Sequence, residues 1–166
     1  MRLIQAFLYL ALLVAAPIFA APAKGKPAVN TAPLTHNQTT VTCKPTKNLS
    51  TTKTFKVNIA RAKEQMQKAG LNTGTSGDPH VYGNVDKLHW GVGACDKPSA
   101  HLLEYPIYWD GEKVEWKKNE YTLMQGKTPI RVVYANANGV PVYCGVMTHS
   151  KVTDEHKGEE FFVKCE

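Results

Sequence analysis

The chain has 166 residues and carries 20 Lys and Arg against 14 Asp and Glu, which gives a formal net charge of +6. This surplus of positive charge suits nucleic acid, anionic lipid and acidic glycans equally well, so charge alone selects no partner. Only one long apolar stretch occurs, at the N-terminus, and this excludes a protein that crosses a membrane several times.

The first segment of the chain has the pattern of a secretory signal peptide. Arg2 precedes an apolar run over residues 3–16, and small residues follow at Ala20 and Ala21, which predicts cleavage near Ala20. A transmembrane anchor is the alternative, but the run is shorter than the ~20 residues that span a bilayer. We therefore expect residues 1–20 to be removed and the remaining chain to be soluble and secreted, with 19 Lys and Arg against 14 Asp and Glu.

The next segment predicts no regular structure. Residues 21–39 are rich in Pro, Ala, Lys, Asn and Thr and have neither a helical nor a strand period, which is typical of a flexible leader or pro-segment. Residues 40–166 then form the candidate domain, which is long enough for one hydrophobic core.

Four cysteines lie in this domain, at Cys43, Cys95, Cys144 and Cys165. An even number in a secreted chain favours two disulfides over a metal site, and the sequence has no Cys-x-x-Cys motif that would suggest zinc. Three pairings are possible. Cys43 with Cys165 and Cys95 with Cys144 is the preferred one, although spacing alone does not decide it.

The N-terminal part of the domain predicts a hairpin followed by a helix. Residues 41–56 alternate Thr and Lys around Pro and Asn, which suits an exposed β-hairpin. Asn58 can cap a helix that ends at Ala69, because Gly70 stands where a left-handed residue is favoured. One face of that helix is apolar: Ile59, Ala62 and Met66.

Two short turn motifs predict β-hairpins in the remaining sequence. Asp110-Gly111 would join strands over residues 102–109 and 113–116, and Asn138-Gly139 would join strands over residues 131–135 and 142–148. Further short strands are expected over residues 87–90 and 161–164. The predicted fold class is α+β, with one α-helix packed on a twisted antiparallel sheet of four to five strands.

Alternation along three of these strands selects a set of polar residues. If the apolar residues face the helix, then Glu104, Arg131 and His149 lie together on the opposite, solvent-facing side of the sheet. The residues that would face the helix are Leu103, Tyr105, Ile107, Val132, Tyr134, Val146 and Thr148. The alternative is that each polar residue is an ordinary exposed side chain.

These residue types match one kind of chemistry. Cleavage of RNA by its own 2′-hydroxyl needs a base for the hydroxyl proton, a cation for the phosphoryl oxygens and an acid for the leaving 5′-oxygen. Glu104, Arg131 and His149 fit these three roles. His80, within Gly77-Asp78-Pro79-His80, is a candidate for a second imidazole.

Several segments carry a family resemblance. In order and spacing the chain resembles the guanyl-specific extracellular ribonucleases of filamentous fungi and, more narrowly, the fungal ribotoxins of the short, insect-pathogen type (hirsutellin A-like). The segments are SGDPH (76–80), LEYP (103–106), PIRVVYAN (129–136), GVMTHSKV (145–152) and FFVKC (161–165).

The resemblance implies a role for each matching residue. It makes Glu104 the general base, His149 the general acid, His80 an assisting base and Arg131 the residue that stabilises the phosphate. Phe162 would border the site, with Phe161 as its partner in the core. The resemblance also implies the microbial ribonuclease fold, with an N-terminal β-hairpin and the preferred disulfide pairing. Whether Tyr134 reaches the site is left open, because the alternation points it toward the helix.

Two features separate the chain from the larger ribotoxins. The larger ribotoxins have Tyr at the position of Asp78, whereas the hirsutellin type has Asp there. An anionic Asp78 should favour the imidazolium form of His80. The alternative role for Asp78 is to orient the turn before Pro79.

Only 23 residues separate His80 from Glu104, too few for the long basic loop of the larger proteins. The segment 108–118, with two tryptophans and three lysines, is a candidate surface for anionic lipid or RNA, the alternative being that Trp116 belongs to the core.

The resemblance implies a secreted ribotoxin, a monomer without a cofactor. Such a protein crosses anionic phospholipid membranes transiently and acts in the cytosol of target cells. It cleaves one bond in the sarcin-ricin loop of ribosomal RNA and stops translation, as an insecticidal virulence factor would. Two alternatives remain open: a secreted guanyl-preferring ribonuclease without ribosome selectivity, and a non-catalytic effector that binds RNA or a host protein.

Overall fold

The computed structural model describes residues 39–166. The predicted signal peptide and residues 21–38 of the predicted leader lie outside the described residues. Within residues 39–166, no helix is both long and apolar enough to cross a membrane. The elements are, in chain order, β1 (Thr40–Cys43), β2 (Lys47–Asn48), β3 (Phe55–Asn58), α1 (Ile59–Ala69), β4 (His80–Val81), α2 (Gly93–Asp96), β5 (Leu102–Ile107), a 3-10 helix (Thr122–Met124), β6 (Ile130–Ala137), β7 (Val140–Val152) and β8 (Gly158–Lys164).

The main sheet has six strands in the described part of the chain. β5, β6 and β7 are antiparallel neighbours, and β8 pairs antiparallel with the C-terminal half of β7. The two-residue strands β4 and β2 extend the sheet, β4 antiparallel to β5 and β2 parallel to β7. β1 and β3 form a separate antiparallel pair. The α+β prediction is confirmed, and the sheet exceeds the expected four to five strands because the two short ones join its edges.

Helix α1 has the bounds that its capping residues predicted. The side chain of Asn58 accepts a hydrogen bond from the backbone N–H of Arg61 at 3.0 Å, which satisfies a donor that the first turn leaves free. At the other end Gly70 has φ 65°, and its N–H donates to the carbonyl of Met66. A residue with a Cβ would be strained in this conformation, so the helix ends there.

The hairpin of residues 131–148 is confirmed, since β6 and β7 are joined at Asn138 and Gly139, both with positive φ. The N-terminal hairpin is confirmed too, as the pair β1 and β3. The expectation that it would be exposed is wrong, because alternate residues of both strands, Phe55 and Val57 among them, are buried in the core below α1.

The predicted strand over residues 113–116 is wrong. β5 pairs along its whole length with β6 on one edge and with the short β4 on the other. Residues 113–116 form irregular chain. The hydroxyl of Tyr105 donates to the carbonyl of Trp116 at 2.8 Å, and the Trp116 side chain is buried. This segment is therefore fixed by packing rather than by strand pairing.

The predicted strand over residues 87–90 is also wrong. The side chain of Asn84 accepts from the N–H of Leu88 and donates to the carbonyl of Leu88. The carboxylate of Asp96 accepts from the N–H of Trp90. Side chains thus occupy the backbone groups that a strand would need for its ladder.

Two hydrophobic clusters lie on the two faces of the sheet. The larger one packs α1, β1 and β3 against Leu103, Tyr105 and Val132, as the alternation predicted. The smaller one packs Trp90, in the loop between β4 and β5, against the other face of the sheet. A fully solvent-exposed surface was expected there. That expectation is wrong for the part of the face that this loop covers.

Both preferred disulfides are present. Cys43–Cys165 joins the two ends of the described chain, and Cys95–Cys144 ties α2 to β7. The second disulfide holds the loop with Trp90 over the sheet.

Candidate active site

Three polar side chains from neighbouring strands lie on the sheet face opposite α1. Glu104 of β5 lies opposite Val133, which is two residues from Arg131 of β6. Arg131 lies opposite Met147, which is two residues from His149 of β7. A step of two residues keeps a side chain on the same face. The three side chains therefore form a diagonal row across the sheet, with Arg131 in the middle.

His80 joins this row from β4, where it lies directly opposite Glu104. Its Nε2 lies 2.7 Å from Oε1 of Glu104, and its Nδ1 lies 2.9 Å from Oδ1 of Asp78. Hydrogen bonds to Asp78 and then to Glu104 raise the pKa of His80 to about 9. The ring is therefore an imidazolium at neutral pH, and both of its nitrogens donate.

The second carboxylate oxygen of Glu104 is in an unusual position. Glu104 is only 6% exposed, and its Oε2 has no hydrogen-bond partner among residues 39–166. Leaving a buried polar atom unpaired costs about 1–3 kcal/mol, more for a charged group, so such an atom calls for an explanation. Oε2 is therefore an acceptor that the described residues leave unpaired.

The guanidinium of Arg131 is a hydrogen-bond donor that is also partly unpaired. Its Nη1 donates to the carbonyl oxygens of Thr128 and Ile130, each at 2.9 Å, while its Nε has no partner within the described chain. Burial lowers the pKa of Arg131 from its ordinary value, and the nearby carboxylate of Glu104 opposes that effect. The guanidinium stays cationic, because arginine is effectively always protonated. An anionic group at this face would find a fixed positive charge.

His149 is oriented by its own strand pair. Its Nδ1 lies 3.1 Å from the carbonyl oxygen of Glu160 in β8. A carbonyl only accepts, so Nδ1 carries the hydrogen and Nε2 is left as the nitrogen for exchange with a ligand. Burial is the main reason that the pKa of His149 lies below its ordinary value, and the positive charge of Arg131 adds to it. The ring of Phe162, opposite His149 in register, packs against the imidazole at 4.0 Å between centroids.

The family model for ribonucleases matches residues 39–166, which are all of the described residues. The chain belongs to the ribonuclease family. Hirsutellin A from Hirsutella thompsonii, in its solution structure, is 53% identical, with 77% of this chain and 99% of that chain covered and a TM-score of 0.67. Among curated proteins the search gave no match.

Two structures of restrictocin share the fold with this ribonuclease. The crystal structure of restrictocin, described as a highly specific Aspergillus ribotoxin, is 23% identical, covering 76% of this chain and 98% of that chain at a TM-score of 0.59. Restrictocin complexed with a 29-mer sarcin/ricin domain RNA analog is 22% identical, with coverages of 76% and 98% and a TM-score of 0.60. The family match and the 53% identity to hirsutellin A make the chain an endoribonuclease, and the restrictocin structures show a shared fold.

The structure changes the expected positions of several aromatic residues in this ribonuclease. Phe161, expected in the core, is 53% exposed, and Phe162 packs instead on the smaller cluster. Tyr134 lies on the helix side, where its hydroxyl donates to the carbonyl of Gly70. Trp109 and Trp116 are both buried, so the surface of segment 108–118 offers lysines but no exposed tryptophan ring for lipid or RNA.

One contact of the row was not predicted from the sequence. Gly158, the first residue of β8, lies so close to the His149 ring that a Cβ at this position would overlap the imidazole carbons. A glycine at a strand start carries no sequence signal for this role, because the contact is made across the β7–β8 pair.

Within residues 39–166, no group of three His, Cys, Asp or Glu side chains has the arrangement of a metal site.

Proposed function

We propose that this endoribonuclease cleaves a single phosphodiester bond in the sarcin-ricin loop of the large ribosomal RNA. The cleavage is a transphosphorylation by side chains alone, which forms a 2′,3′-cyclic phosphate and a free 5′-hydroxyl. The observation that carries the proposal is the row of Glu104, Arg131 and His149 on one face of the sheet, with His80 Nε2 2.7 Å from Glu104 Oε1. A phosphodiester with its 2′-hydroxyl offers the matching donor and acceptors.

Each residue of the row has a step in this reaction. Glu104 accepts the proton of the 2′-hydroxyl through Oε2, and the 2′-oxygen attacks phosphorus. Arg131 stabilises the charge that builds up on the phosphoryl oxygens. His149 donates a proton from Nε2 to the 5′-oxygen as the phosphorus–oxygen bond breaks, while Phe162 borders the imidazole.

His80 has a different role in this proposal from the assisting base of the sequence analysis. A ring that donates from both nitrogens and has a pKa of about 9 cannot accept a proton at neutral pH. His80 therefore holds the Glu104 carboxylate through Oε1 and adds a positive charge beside the phosphate. Asp78 keeps the imidazole charged.

The choice of the sarcin-ricin loop rests on the relatives. Restrictocin, which shares the fold, has been observed with a sarcin/ricin domain RNA analog, and hirsutellin A is 53% identical. The wider proposal follows from the same resemblance: a secreted, insecticidal protein that passes an anionic membrane, reaches the cytosol of target cells and stops translation.

The experiment compares intact ribosomes with deproteinised RNA as substrates. One discrete fragment from ribosomes, with a 2′,3′-cyclic phosphate at its 3′ end, supports the proposal. General degradation of both substrates would favour a guanyl-preferring ribonuclease, and absence of cleavage would favour a binding effector. Glu104→Gln should lower the cleavage rate about 10²- to 10⁴-fold. Glu64→Gln, on the exposed face of α1, is the matched control and should cleave as the unaltered chain does.

A further inference from the structure

A cavity of about 360 Å³ opens beside the catalytic row, at its His149 end. Arg131 is part of its lining, and so is Gly158, which is in contact with the His149 ring. The walls also include Trp116, Thr122, Leu123, Gln125, Lys127 and Lys157. The cavity therefore adjoins the row at Arg131 and at the glycine that contacts the His149 ring.

The direction of the reaction decides which part of an RNA would occupy this cavity. The base removes a proton from the nucleotide that keeps the phosphate, and the acid protonates the 5′-oxygen of the nucleotide that leaves. Attacking and leaving oxygens lie roughly in line through phosphorus. With Glu104 at one end of the row and His149 at the other, the departing nucleotide lies on the His149 side.

The lining suits a nucleotide followed by a phosphate. Leu123 is 97% exposed, and an exposed apolar side chain beside a cavity offers a surface for a base. Lys127 and Lys157 supply positive charge at its rim. Both lysines are paired with carboxylates at the surface, Lys127 with Glu155 and Lys157 with Glu159. Exposed ion pairs contribute little free energy, so a phosphate can replace the carboxylate as the partner.

We propose that this cavity binds the leaving nucleotide of the RNA, with Lys127 and Lys157 on the phosphate at the 3′ side of that nucleotide. The inference rests on the proposed transphosphorylation and adds the polarity of the bound strand. Hydrolysis of a nucleoside 2′,3′-cyclic phosphate has no leaving nucleotide and therefore does not use the cavity.

The experiment uses the dinucleotide GpA and its 3′-phosphorylated form GpAp. The terminal phosphate should raise kcat/KM of the unaltered protein about tenfold, as expected for charge-assisted contacts. Lys127→Ala and Lys157→Ala should each remove much of this gain and leave hydrolysis of guanosine 2′,3′-cyclic phosphate within about twofold. Glu155→Gln breaks the ion pair of Lys127 but keeps the lysine, so the gain should persist. Lys56→Ala, on the exposed face of β3, is the matched control for loss of one positive charge.

The outcomes separate this inference from the function on which it rests. If GpA and GpAp are cleaved equally, or if the lysine variants keep the full gain, the cavity does not bind the leaving side. An equal loss in Lys127→Ala and Glu155→Gln would assign the effect to the ion pair and also overturn the inference. If the unaltered protein forms a 2′,3′-cyclic phosphate neither from the dinucleotides nor on ribosomal RNA, the proposed transphosphorylation itself fails.

Discussion

Replacing Asp78 by Asn tests the charge state of the proposed site directly. Asp78 accepts from Nδ1 of His80 at 2.9 Å and makes the largest contribution to the raised pKa of that ring, ahead of Glu104. The substitution keeps the size of the side chain and removes its negative charge. We therefore expect the pKa of His80 to fall toward its ordinary value.

The size of the effect follows from the pKa and the exposure of the ring. A rise from 6.5 to about 9 corresponds to about 3.4 kcal/mol if one pKa unit is 1.36 kcal/mol. The His80 side chain is 49% exposed, so screening by water reduces the stabilisation to about 1.5–2 kcal/mol. Asp78 supplies the larger share of this stabilisation, about 1 kcal/mol.

The sign of the pH dependence is fixed by the direction of the pKa. Because the pKa of His80 is higher in the folded state, its stabilisation is fully present below pH 6.5 and is lost as the pH rises through about 9. Asp78→Asn should therefore lower the free energy of unfolding by about 1 kcal/mol at pH 6 and by much less at pH 10.

The assay is an NMR titration of the histidine rings, with His80→Gln to assign the signal, together with urea unfolding at pH 6 and pH 10. Asp154→Asn, in the exposed turn between β7 and β8, is the control and should change neither measurement. A His80 ring that titrates near pH 6.5 in the unaltered protein would refute the reasoning, and so would an Asp78→Asn variant that leaves the titration unchanged.

Three further predictions concern the framework of the site and its acid. A Cβ at Gly145 would lie 2.8 Å from Cε3 of Trp90, so Gly145→Ala should destabilise the fold by about 1–3 kcal/mol in urea unfolding; a variant as stable as the original would contradict this packing. Replacing both Cys95 and Cys144 by Ala opens a link over 49 residues and should lower the free energy of unfolding by about 4 kcal/mol; a loss below about 1 kcal/mol would argue against that view. Since burial holds the pKa of His149 below 6.5 and a general acid must be protonated, kcat/KM for GpA should fall as the pH rises above that lowered value; full activity at pH 8 would exclude His149 as the acid.

The predictions that succeeded depend on signals within a few residues of one another. Asn58 and Gly70 predicted both ends of α1, because capping is a local hydrogen-bond requirement. Asn138-Gly139 predicted the β6–β7 hairpin, because a two-residue turn needs positive φ at both positions. Alternation along β5, β6 and β7 predicted the shared face of Glu104, Arg131 and His149.

The predictions that failed concern partners that lie far apart in the chain. Asp110-Gly111 forms a turn, but residues 113–116 do not form a strand, and the neighbours of β5 are β6 and β4. Phe161 and Phe162 are adjacent, and alternation alone does not tell which of them faces the loop of Trp90. The loop covers the sheet because Cys95–Cys144 holds it there, and this makes Phe162 the packed residue.

The sequence by itself determined the helix, the main hairpin, the disulfide-rich α+β class and the side chains that share one sheet face. Only the tertiary structure decided the environment of those side chains: Glu104 is buried with one oxygen unpartnered among residues 39–166, and His80 is held as a cation between two carboxylates. The physical reason is that capping, turns and alternation act over a few residues. Protonation and desolvation, by contrast, depend on distances and burial between strands that the chain brings together only when it folds.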